Sequence, residues 1–295
     1  MAKKHAKKAK KSAPKQEKDE FGMGLPQLTK KKSFKDFKSL AKYAKTAVYL
    51  IVRIRGERYR ALGTGFLAGE CKMVTCSHCI DADNAEAELA THEDGDLYLF
   101  IQKAEDGSFH RYGAQFNKDE NLFVYPDMDI AIFELPTDFY LVDGEYFKHP
   151  KMFLEFATEP YDIGSEMAIL GYPLPDLNFG DDGMPDLTNV HIRGDVGVVN
   201  TRYIKSDIEI YESTTLFNPG NSGGPILDVH TGKVIGVVFG YMPTIISFFR
   251  DTVPVGELGN EEEFEIASAH RAVYSWGVSS RNYTDIIERH NLAVG

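Results

Sequence analysis

The segment from Asn218 to Ile226, which reads Asn-Pro-Gly-Asn-Ser-Gly-Gly-Pro-Ile, constrains the fold of this 295-residue chain more than any other part. Glycine allows a positive φ and proline fixes φ, so the segment favours neither a helix nor a buried strand. A tight bend of this kind lifts the Ser222 hydroxyl out of the fold and turns backbone N–H groups toward one point. Acyl transfer requires a nucleophile beside such donors. By itself, the segment is equally consistent with an ordinary turn.

A serine nucleophile needs a base, and the base needs a partner that orients it. The apolar run that begins at Met73 ends near His78, and Asp129 opens another apolar run, Ile130 to Leu135. Each residue also has an ordinary structural interpretation: a histidine after a strand is commonly hydrogen-bonded, and an aspartate before one is commonly a cap. All three stand in strand-and-turn contexts in the chain order His, Asp, Ser, which favours a catalytic triad.

Five segments of the chain resemble the chymotrypsin-fold serine proteases. Thr75 to Cys79 resembles their T-A-A-H-C segment, Asp129 to Ala131 their D-I-A segment, and Asn221 to Pro225 their nucleophile loop. The residues around the serine are most similar to the HtrA/Deg branch and related bacterial trypsin-like peptidases. Leu62 to Leu67 resembles the G-S-G-F strand of that branch, and Trp276 to Ser280 resembles its closing strand, which a helix follows. The resemblance covers about residues 46–295.

This resemblance implies an all-β fold, with two six-stranded antiparallel β-barrels of the chymotrypsin type and a C-terminal helix. It implies a serine endopeptidase that works through an acyl-enzyme intermediate, with His78, Asp129 and Ser222 as the catalytic residues. The backbone N–H groups of Gly220 and Ser222 would form the oxyanion hole. Since only neutral imidazole can act as a base, we expect the rate to rise with pH around a midpoint of roughly 6.5 to 7.

Short strand-like runs separated by Gly, Asp and Asn turns also predict barrels. The predicted strands are Thr46–Ile54, Leu62–Leu67, Lys72–Thr75, Leu97–Gln102, Phe109–Gln115, Ile130–Leu135, Glu166–Gly171, Val190–Val199, Ile208–Ser213, Pro225–Leu227, Val234–Phe239 and Ala272–Gly277. We expect residues 1–45 to be a tail and residues 46–295 to be the peptidase domain. Within that domain, we expect barrels at about 46–140 and 160–280 and the helix at about 280–291. The active site would lie in the cleft between the barrels.

The resemblance also places the pocket for the substrate residue before the scissile bond. Leu216 resembles the pocket floor, and a strand after the nucleophile would form a wall through Val238, Phe239 and Gly240. Neither the segment around Leu216 nor this strand contains a charged side chain. Burying an unpaired substrate charge there costs on the order of several kcal/mol. We therefore expect cleavage after small or medium apolar residues, although Phe239 is large enough to fill the pocket.

The three cysteines, Cys71, Cys76 and Cys79, indicate a reducing compartment because their number is odd and none has an obvious partner. In chymotrypsin-like enzymes, the cysteine after the catalytic histidine pairs with one on the preceding strand. The matching position is Leu62, so that disulfide is not expected. Because Cys76 and Cys79 stand beside His78, their oxidation is expected to inhibit. The sequence supports neither activation by terminal insertion nor a PDZ domain after the last helix.

Charge is unevenly distributed along the chain. Residues 1–45 hold fifteen lysines and four acidic residues, whereas the remainder holds 18 basic and 40 acidic residues. Residues 1–32 have few large apolar side chains, so we expect them to be disordered. From Ser33 to Lys45, apolar residues recur at helical spacing, with Ser33 and Asp36 as a weak capping box. This helix would pack on its own acidic barrel or dock to a partner, an anionic membrane surface or nucleic acid.

No metal-ligand spacing, phosphate loop or dinucleotide fingerprint occurs, so we expect no cofactor and no metal. The absence of a membrane-spanning run and of a secretory signal predicts a cytoplasmic protein. The expected partners are protein or peptide substrates and an anionic partner of the tail, rather than nucleic acid. Two alternatives remain: a catalytically silent protease fold that only binds, and an adaptor that acts through its tail. An acidic insertion between Tyr241 and His270 has no predicted structure.

Overall fold

The computed structural model describes residues 33–82, 89–104, 106–136, 140–141, 152–173, 186–253 and 264–295. For residues 140–141, 241–253 and 264–274 the description is of the backbone alone. The predicted tail, residues 1–32, lies outside the described residues. Across the described ranges, none of the helices combines the length and the apolar character needed to cross a membrane.

The N-terminal half of the domain forms one antiparallel sheet of eight strands. They are β1 (Val48–Arg55), β2 (Arg58–Leu67), β3 (Lys72–Thr75), β4 (Leu97–Lys103), β5 (Phe109–Gln115), β6 (Leu122–Tyr125), β7 (Ile130–Glu134) and β8 (Tyr140–Leu141). Their order in the sheet is β6-β7-β3-β2-β1-β4-β5-β8. The first six residues of β1 are all buried, because this nearly continuous run of β-branched and aromatic side chains lies at the centre of the sheet.

The C-terminal half forms a closed barrel of six antiparallel strands. They are β9 (Glu166–Gly171), β10 (Arg193–Lys205), β11 (Ile208–Ser213), β12 (Pro225–Asp228), β13 (Val234–Val253) and β14 (Phe264–Ser279). The order around the barrel is β10-β11-β14-β13-β12-β9. Apolar side chains that alternate along these strands, including Met167, Ile169, Val199 and Ile226, fill its interior.

Strands β13 and β14 continue beyond the barrel as one long hairpin. Their pairing runs from Gly236 opposite Ser279 to Val253 opposite Phe264. The acidic insertion between Tyr241 and His270, which the sequence could not assign, therefore forms much of this hairpin.

The all-β fold class is confirmed, and every predicted strand has a counterpart. The first sheet differs from the predicted six-stranded barrel because it also contains β6 and β8. Strand β6 spans only Leu122–Tyr125 and β8 only Tyr140–Leu141. A two-residue strand such as β8 has no alternation to recognise, and the short apolar run of β6 does not by itself distinguish a strand from a buried helical segment.

A helix precedes the first sheet, as the helical spacing predicts. Helix α1 spans Phe37–Ala44, and Asp36 is its N-cap. The Asp36 carboxylate accepts a hydrogen bond from the backbone N–H of Ser39 at 2.9 Å. The Ser39 hydroxyl lies 3.4 Å from the backbone nitrogen of Asp36 and completes the capping box. The predicted box of Ser33 and Asp36 is therefore wrong by one helical turn, because Asp36 begins the helix instead of ending the motif.

This helix packs on its own domain, which was one of the predicted alternatives. Leu40 and Ala44 are fully buried and belong to the core. The backbone N–H of Phe34 donates to the carbonyl of His230 at 2.7 Å and ties the start of the helical region to the closed barrel. One compact unit extends from Ser33 to Gly295 and includes the helix.

The chain ends in the predicted C-terminal helical segment. A 3₁₀ turn at Ser280–Tyr283 leads into α3 (Thr284–Arg289). Beyond α3, the N–H of Ala293 donates to the carbonyl of Ala68 at 2.6 Å. This bond returns the end of the chain to the first sheet and helps to join the two halves.

Candidate active site

His78 lies on a short helix that follows strand β3. Cys76 has extended dihedral angles, φ −76° and ψ 148°, and α2 (Ser77–Ile80) begins immediately after it. The change from strand to helix places the imidazole at a cleft of about 820 Å³, which Phe239 also lines. The His78 side chain is 35% exposed, so its ring is accessible from the cleft.

Asp129 holds this imidazole through both carboxylate oxygens. His78 Nδ1 lies 2.8 Å from Oδ2 and 2.9 Å from Oδ1. Oδ1 also accepts from the backbone N–H of His78 at 3.0 Å and from the Ser77 hydroxyl at 2.9 Å. Asp129 follows the turn Pro126–Met128 with φ +46°, a left-handed conformation that aspartate tolerates better than most residues. The carboxylate therefore fixes both the ring and the start of its helix.

The surroundings of His78 favour a positive charge on its ring. Burial lowers the pKa of His78, but the hydrogen bond to Asp129 and the influence of Cys79 together raise that pKa from 6.5 to about 10. The paired carboxylate thus stabilises imidazolium, the form produced when the ring accepts a proton.

Ser222 lies in an irregular turn immediately before β12. Gly220 has φ +94° and Gly223 has φ +82°, a region that non-glycine residues rarely adopt. A Cβ at Gly223 would overlap the hydroxyl of Thr75 and the carbonyl of Thr64. Only glycine therefore allows the two halves of the domain to approach this closely.

Some backbone N–H groups of this turn donate hydrogen bonds to carbonyls of the protein, and others are left for a ligand. The N–H of Asn221 donates to the carbonyl of Asn218 at 3.0 Å, and that of Gly223 donates to the carbonyl of Val238 at 2.9 Å. In the part of the chain that the structure describes, the N–H groups of Gly220 and Ser222 have no acceptor. These are the two donors predicted for the oxyanion hole.

Thr64 anchors the turn to the first sheet, and the sequence analysis did not assign it a role. Its hydroxyl donates to the Gly220 carbonyl at 2.7 Å and accepts from the N–H of Tyr172 at 2.8 Å. Its backbone N–H donates to the Ser222 carbonyl at 2.9 Å. The sequence feature that could have indicated this role is the position of Thr64 between two glycines on β2, because glycines allow another backbone to approach closely.

The structure brings His78, Asp129 and Ser222 to one region, with two of them paired. The Ser222 hydroxyl donates to the carbonyl of Phe239 at 3.3 Å, and among the described residues no hydrogen bond joins it to His78. The Phe239 ring stands edge-on to the imidazole with a centroid separation of 5.8 Å. The Cys79 sulfur lies 3.7 Å from the Ser222 carbonyl oxygen. The serine hydroxyl therefore faces β13, beside the histidine.

The three residues predicted for the pocket wall on β13 occupy different environments. Phe239 lines the cleft together with His78. The Val238 side chain is buried in the barrel core, so only its backbone faces the turn. A Cβ placed on Gly240 would meet no atom within 4 Å, which leaves room beside its backbone.

Leu216, the predicted pocket floor, lies apart from Phe239. It is 50% exposed and lines a separate pocket of about 200 Å³. Arg193 and Asp195 from β10 line the same pocket. These charged side chains come from β10, which belongs to neither of the predicted walls.

None of the three cysteines forms a disulfide among the described residues. A Cβ at Gly63 would lie 2.9 Å from the Cys79 sulfur, so Gly63 packs directly against Cys79. The pairing of β1 with β2 shifts register between Ile51 and Val52, opposite Leu62. The match of Leu62 to the family's cysteine position stays a prediction.

One group of side chains near the cleft has donor atoms suited to a metal. Donor atoms of Cys76, His78 and Asp129 lie within 4.8 Å of one another. Both Asp129 oxygens already accept hydrogen bonds from His78. A metal bound there would have to replace this pairing, and we assign none.

Comparison with known proteins identifies the class of protein. Residues 63–237 match the model of the Trypsin-like peptidase domain family, which covers more than half of the chain. The chain belongs to this family of trypsin-like peptidases. No curated protein sequence gives a significant match. The predicted closeness to the HtrA/Deg branch stays a prediction.

Two solved protease structures resemble the chain in fold. The active form of the Rv3671c protease from M. tuberculosis is 17% identical and has a TM-score of 0.50, with coverage of 87% of this chain and 86% of that one. Neuropsin, a serine protease of mouse brain, is 12% identical with a TM-score of 0.46 and coverage of 84% and 96%. The likeness to the Rv3671c protease concerns the fold alone, and the peptidase class rests on the family match.

Proposed function

We propose that this peptidase is a serine endopeptidase with His78, Asp129 and Ser222 as its catalytic triad. The observation that carries the proposal is the double contact of His78 Nδ1 with the Asp129 carboxylate, at 2.8 and 2.9 Å, beside the Ser222 turn. A carboxylate at Nδ1 favours a proton on that nitrogen and leaves Nε2 to act as the base.

The reaction begins when the Ser222 hydroxyl turns from the Phe239 carbonyl toward His78. The serine oxygen attacks the substrate carbonyl carbon while His78 accepts its proton. His78 then donates this proton to the leaving amine, and the acyl-enzyme remains on Ser222. Water attacks the acyl-enzyme in the second half, again with His78 as the base, while Asp129 stabilises the imidazolium at each stage.

The backbone of the Ser222 turn supplies the oxyanion hole in this proposal. The N–H groups of Gly220 and Ser222 have no acceptor among the described residues and are thus available to a substrate oxyanion. Thr64 supports the turn through its hydrogen bonds to the carbonyls of Gly220 and Ser222. One oxyanion donor is typically worth roughly 3 kcal/mol in the transition state.

The substrates are proteins or peptides, and cleavage after small or medium apolar residues remains our proposal. Phe239 and Leu216 both present exposed apolar surface. Arg193 and Asp195 stand beside Leu216 with opposite charges, so that pocket favours neither sign of substrate charge strongly. A cytoplasmic location and an anionic partner of the Lys-rich tail also stay predictions.

A second candidate is a protease fold that binds peptides without cleaving them. The hydrogen bond from Ser222 to Phe239 favours it, because that bond directs the hydroxyl away from the base. The adaptor alternative depends on residues 1–45, of which residues 1–32 lie outside the described residues.

Hydrolysis of a peptide library blocked at both ends tests the proposed function. An endopeptidase cleaves such peptides internally, whereas an exopeptidase needs a free terminus. We expect internal cleavage after apolar residues by the wild type and none by Ser222→Ala. Tight binding of peptides without cleavage would favour the second candidate, and a profile dominated by Arg, Lys or Glu before the scissile bond would refute the apolar preference.

A further inference from the structure

Two cysteines enclose the candidate base, and the proposed reaction uses neither. Cys76 is the N-cap of α2 and Cys79 lies one turn further, with His78 between them. The backbone N–H of Cys79 donates to the Cys76 carbonyl at 3.2 Å. Residues three apart on a helical turn have Cβ atoms about 5–6 Å apart, which places the two thiols side by side. Two neighbouring thiols at the start of a helix form the arrangement of a Cys-x-x-Cys redox pair.

Both thiols reach across to the half of the domain that carries Ser222. The Cys76 thiol donates to the Val238 carbonyl at 3.1 Å, and the Cys79 thiol donates to the Ser222 carbonyl at 3.7 Å. Each sulfur therefore contacts the backbone that positions the serine, while its own backbone positions His78. A covalent change at either sulfur is transmitted to both sides of the cleft.

The surroundings give the two sulfur atoms different reactivity. The neighbouring Cys76 thiol and His78 lower the pKa of the Cys79 thiol from 9.0 to about 6 despite its burial. Burial raises the pKa of Cys76 well above 9.0. Cys79 is also 5% exposed, against 1% for Cys76. Cys79 is therefore suited to attack a small oxidant, and Cys76 is suited to resolve the product.

We propose that Cys76 and Cys79 form a reversible redox-modification site at which hydrogen peroxide closes a disulfide and inhibits the peptidase. The inhibition rests on the proposed function, whereas disulfide formation does not. The Cys79 thiolate attacks one peroxide oxygen, the O–O bond breaks, and the leaving oxygen departs as water after protonation. The resulting sulfenic acid reacts with the Cys76 thiol, which forms the S–S bond and releases a second water. The two thiols lose two electrons in total, and the peroxide gains them.

Closure of the disulfide must change the site. An S–S bond is about 2.05 Å long, shorter than any non-bonded contact between two sulfur atoms, so the turn that carries His78 has to move. Oxidised Cys76 also has no proton to donate to the Val238 carbonyl. A displacement of about 1 Å in a catalytic group can cost roughly 100-fold in rate. We therefore expect a loss of about 10- to 100-fold.

The test treats the full chain with hydrogen peroxide and follows two readouts. The first is hydrolysis of a blocked peptide, normalised to the untreated rate of each variant, before and after dithiothreitol. The second is a non-reducing peptide mass map, in which the linked Cys76–Cys79 peptide is about 2 Da lighter than its dithiol form. Cys76→Ser and Cys79→Ser remove the pair, Cys79→Ala is a second version, and Cys71→Ser is the matched control.

The proposal predicts that peroxide links Cys76 to Cys79 and lowers the rates of the wild type and Cys71→Ser, with recovery in dithiothreitol. Variants that lack Cys79 should show no reversible loss, and variants that lack Cys76 should form no linked peptide, because their oxidation stops at the sulfenic acid of Cys79. Absence of the linked peptide, a linked peptide with an unchanged rate, or protection by Cys71→Ser would each overturn the proposal. If the untreated wild type hydrolyses nothing, the proposed function fails, while the mass map still decides whether the disulfide forms.

Discussion

The two sides of the cleft are constructed in different ways. On the side of the first sheet, His78 and Asp129 meet through their side chains, with two contacts below 3 Å. On the side of the closed barrel, Ser222 depends on backbone geometry. Gly220 has a positive φ, and the Gly220 and Ser222 carbonyls are held by Thr64. One side thus depends on the chemistry of side chains and the other on the path of the chain, so substitutions should damage them for different reasons.

The largest effect should come from removing the reacting side chains. Ser222→Ala, His78→Ala and Asp129→Asn should each lower kcat/KM by roughly 10⁴-fold or more. Because the three act as one unit, a double variant should lose little beyond the worse single variant. Peptide hydrolysis measures these losses, and thermal unfolding of each variant is the control for folding. If Ser222→Ala retained more than a few per cent of the rate in the absence of contaminating protease, the assignment of the nucleophile would be wrong.

A backbone substitution on the barrel side should rank second. Valine cannot readily adopt the φ of +94° found at Gly220, so Gly220→Val should rotate the peptide group and lower kcat by about 10²- to 10³-fold. Gly164 offers a matched control, because its φ is +87° and a Cβ there meets no atom within 4 Å. Gly164→Val carries comparable strain away from the cleft. Equal losses of kcat in the two variants would mean that strain, and not the oxyanion hole, explains the effect.

The pH dependence of kcat/KM tests the pairing of His78 with Asp129 on the side of the first sheet. With the pKa of His78 raised to about 10, the neutral base becomes rarer as pH falls, so kcat/KM should drop about tenfold per unit, or roughly 100-fold from pH 8 to pH 6. A plateau already reached near pH 7 would support the midpoint of 6.5 to 7 expected from sequence and would contradict the raised pKa. Circular dichroism at each pH controls for unfolding.

The raised pKa of His78 also makes the stability of the fold depend on pH. Since the pKa of His78 is higher in the folded state than its unfolded value of 6.5, its pairing with Asp129 stabilises the fold fully below about pH 6.5. This contribution disappears as the pH rises through about 10. Asp129→Asn should therefore destabilise the protein more at pH 6 than at pH 10, which denaturant titrations at both values can measure.

The smallest effect should come from a substitution of Thr64, which links the two sides of the cleft. Thr64→Val keeps the side-chain shape but removes the hydroxyl that joins the Gly220 carbonyl to the N–H of Tyr172. We expect about a tenfold lower kcat and a free energy of unfolding lower by about 1–3 kcal/mol, because buried polar groups lose their partner. Thr64→Ser retains the hydroxyl and should remain close to wild type. Identical behaviour of the two variants would show that this hydroxyl does not position the turn.

Local patterns explain how much the sequence could predict. The strands, the C-terminal helix and the positions of His78, Asp129 and Ser222 next to turns follow from short runs of apolar, Gly and Pro residues. The structure brings these three residues together as the chain order suggested, while their catalytic roles stay proposals. The nucleophile turn was predictable because Gly220 and Gly223 need backbone angles that few other residues adopt.

Long-range packing explains what the sequence could not predict. Thr64 acts on a turn more than 150 residues away, and nothing near it in sequence records that partner. Arg193 reaches the Leu216 pocket only because β10 lies beside it in the barrel. The bulge opposite Leu62 also depends on pairing between strands. Periodicity within one segment carries no information on such contacts.

Covalent labelling with a fluorophosphonate tests the central claim most directly, because only a serine activated by a base reacts rapidly with it. We predict one label per folded wild-type chain, mapped to Ser222 by mass spectrometry. Labelling should be abolished in Ser222→Ala, slowed greatly in His78→Ala, and absent from the denatured wild type. A folded wild type that takes no label, or a label that persists in Ser222→Ala, would contradict the account.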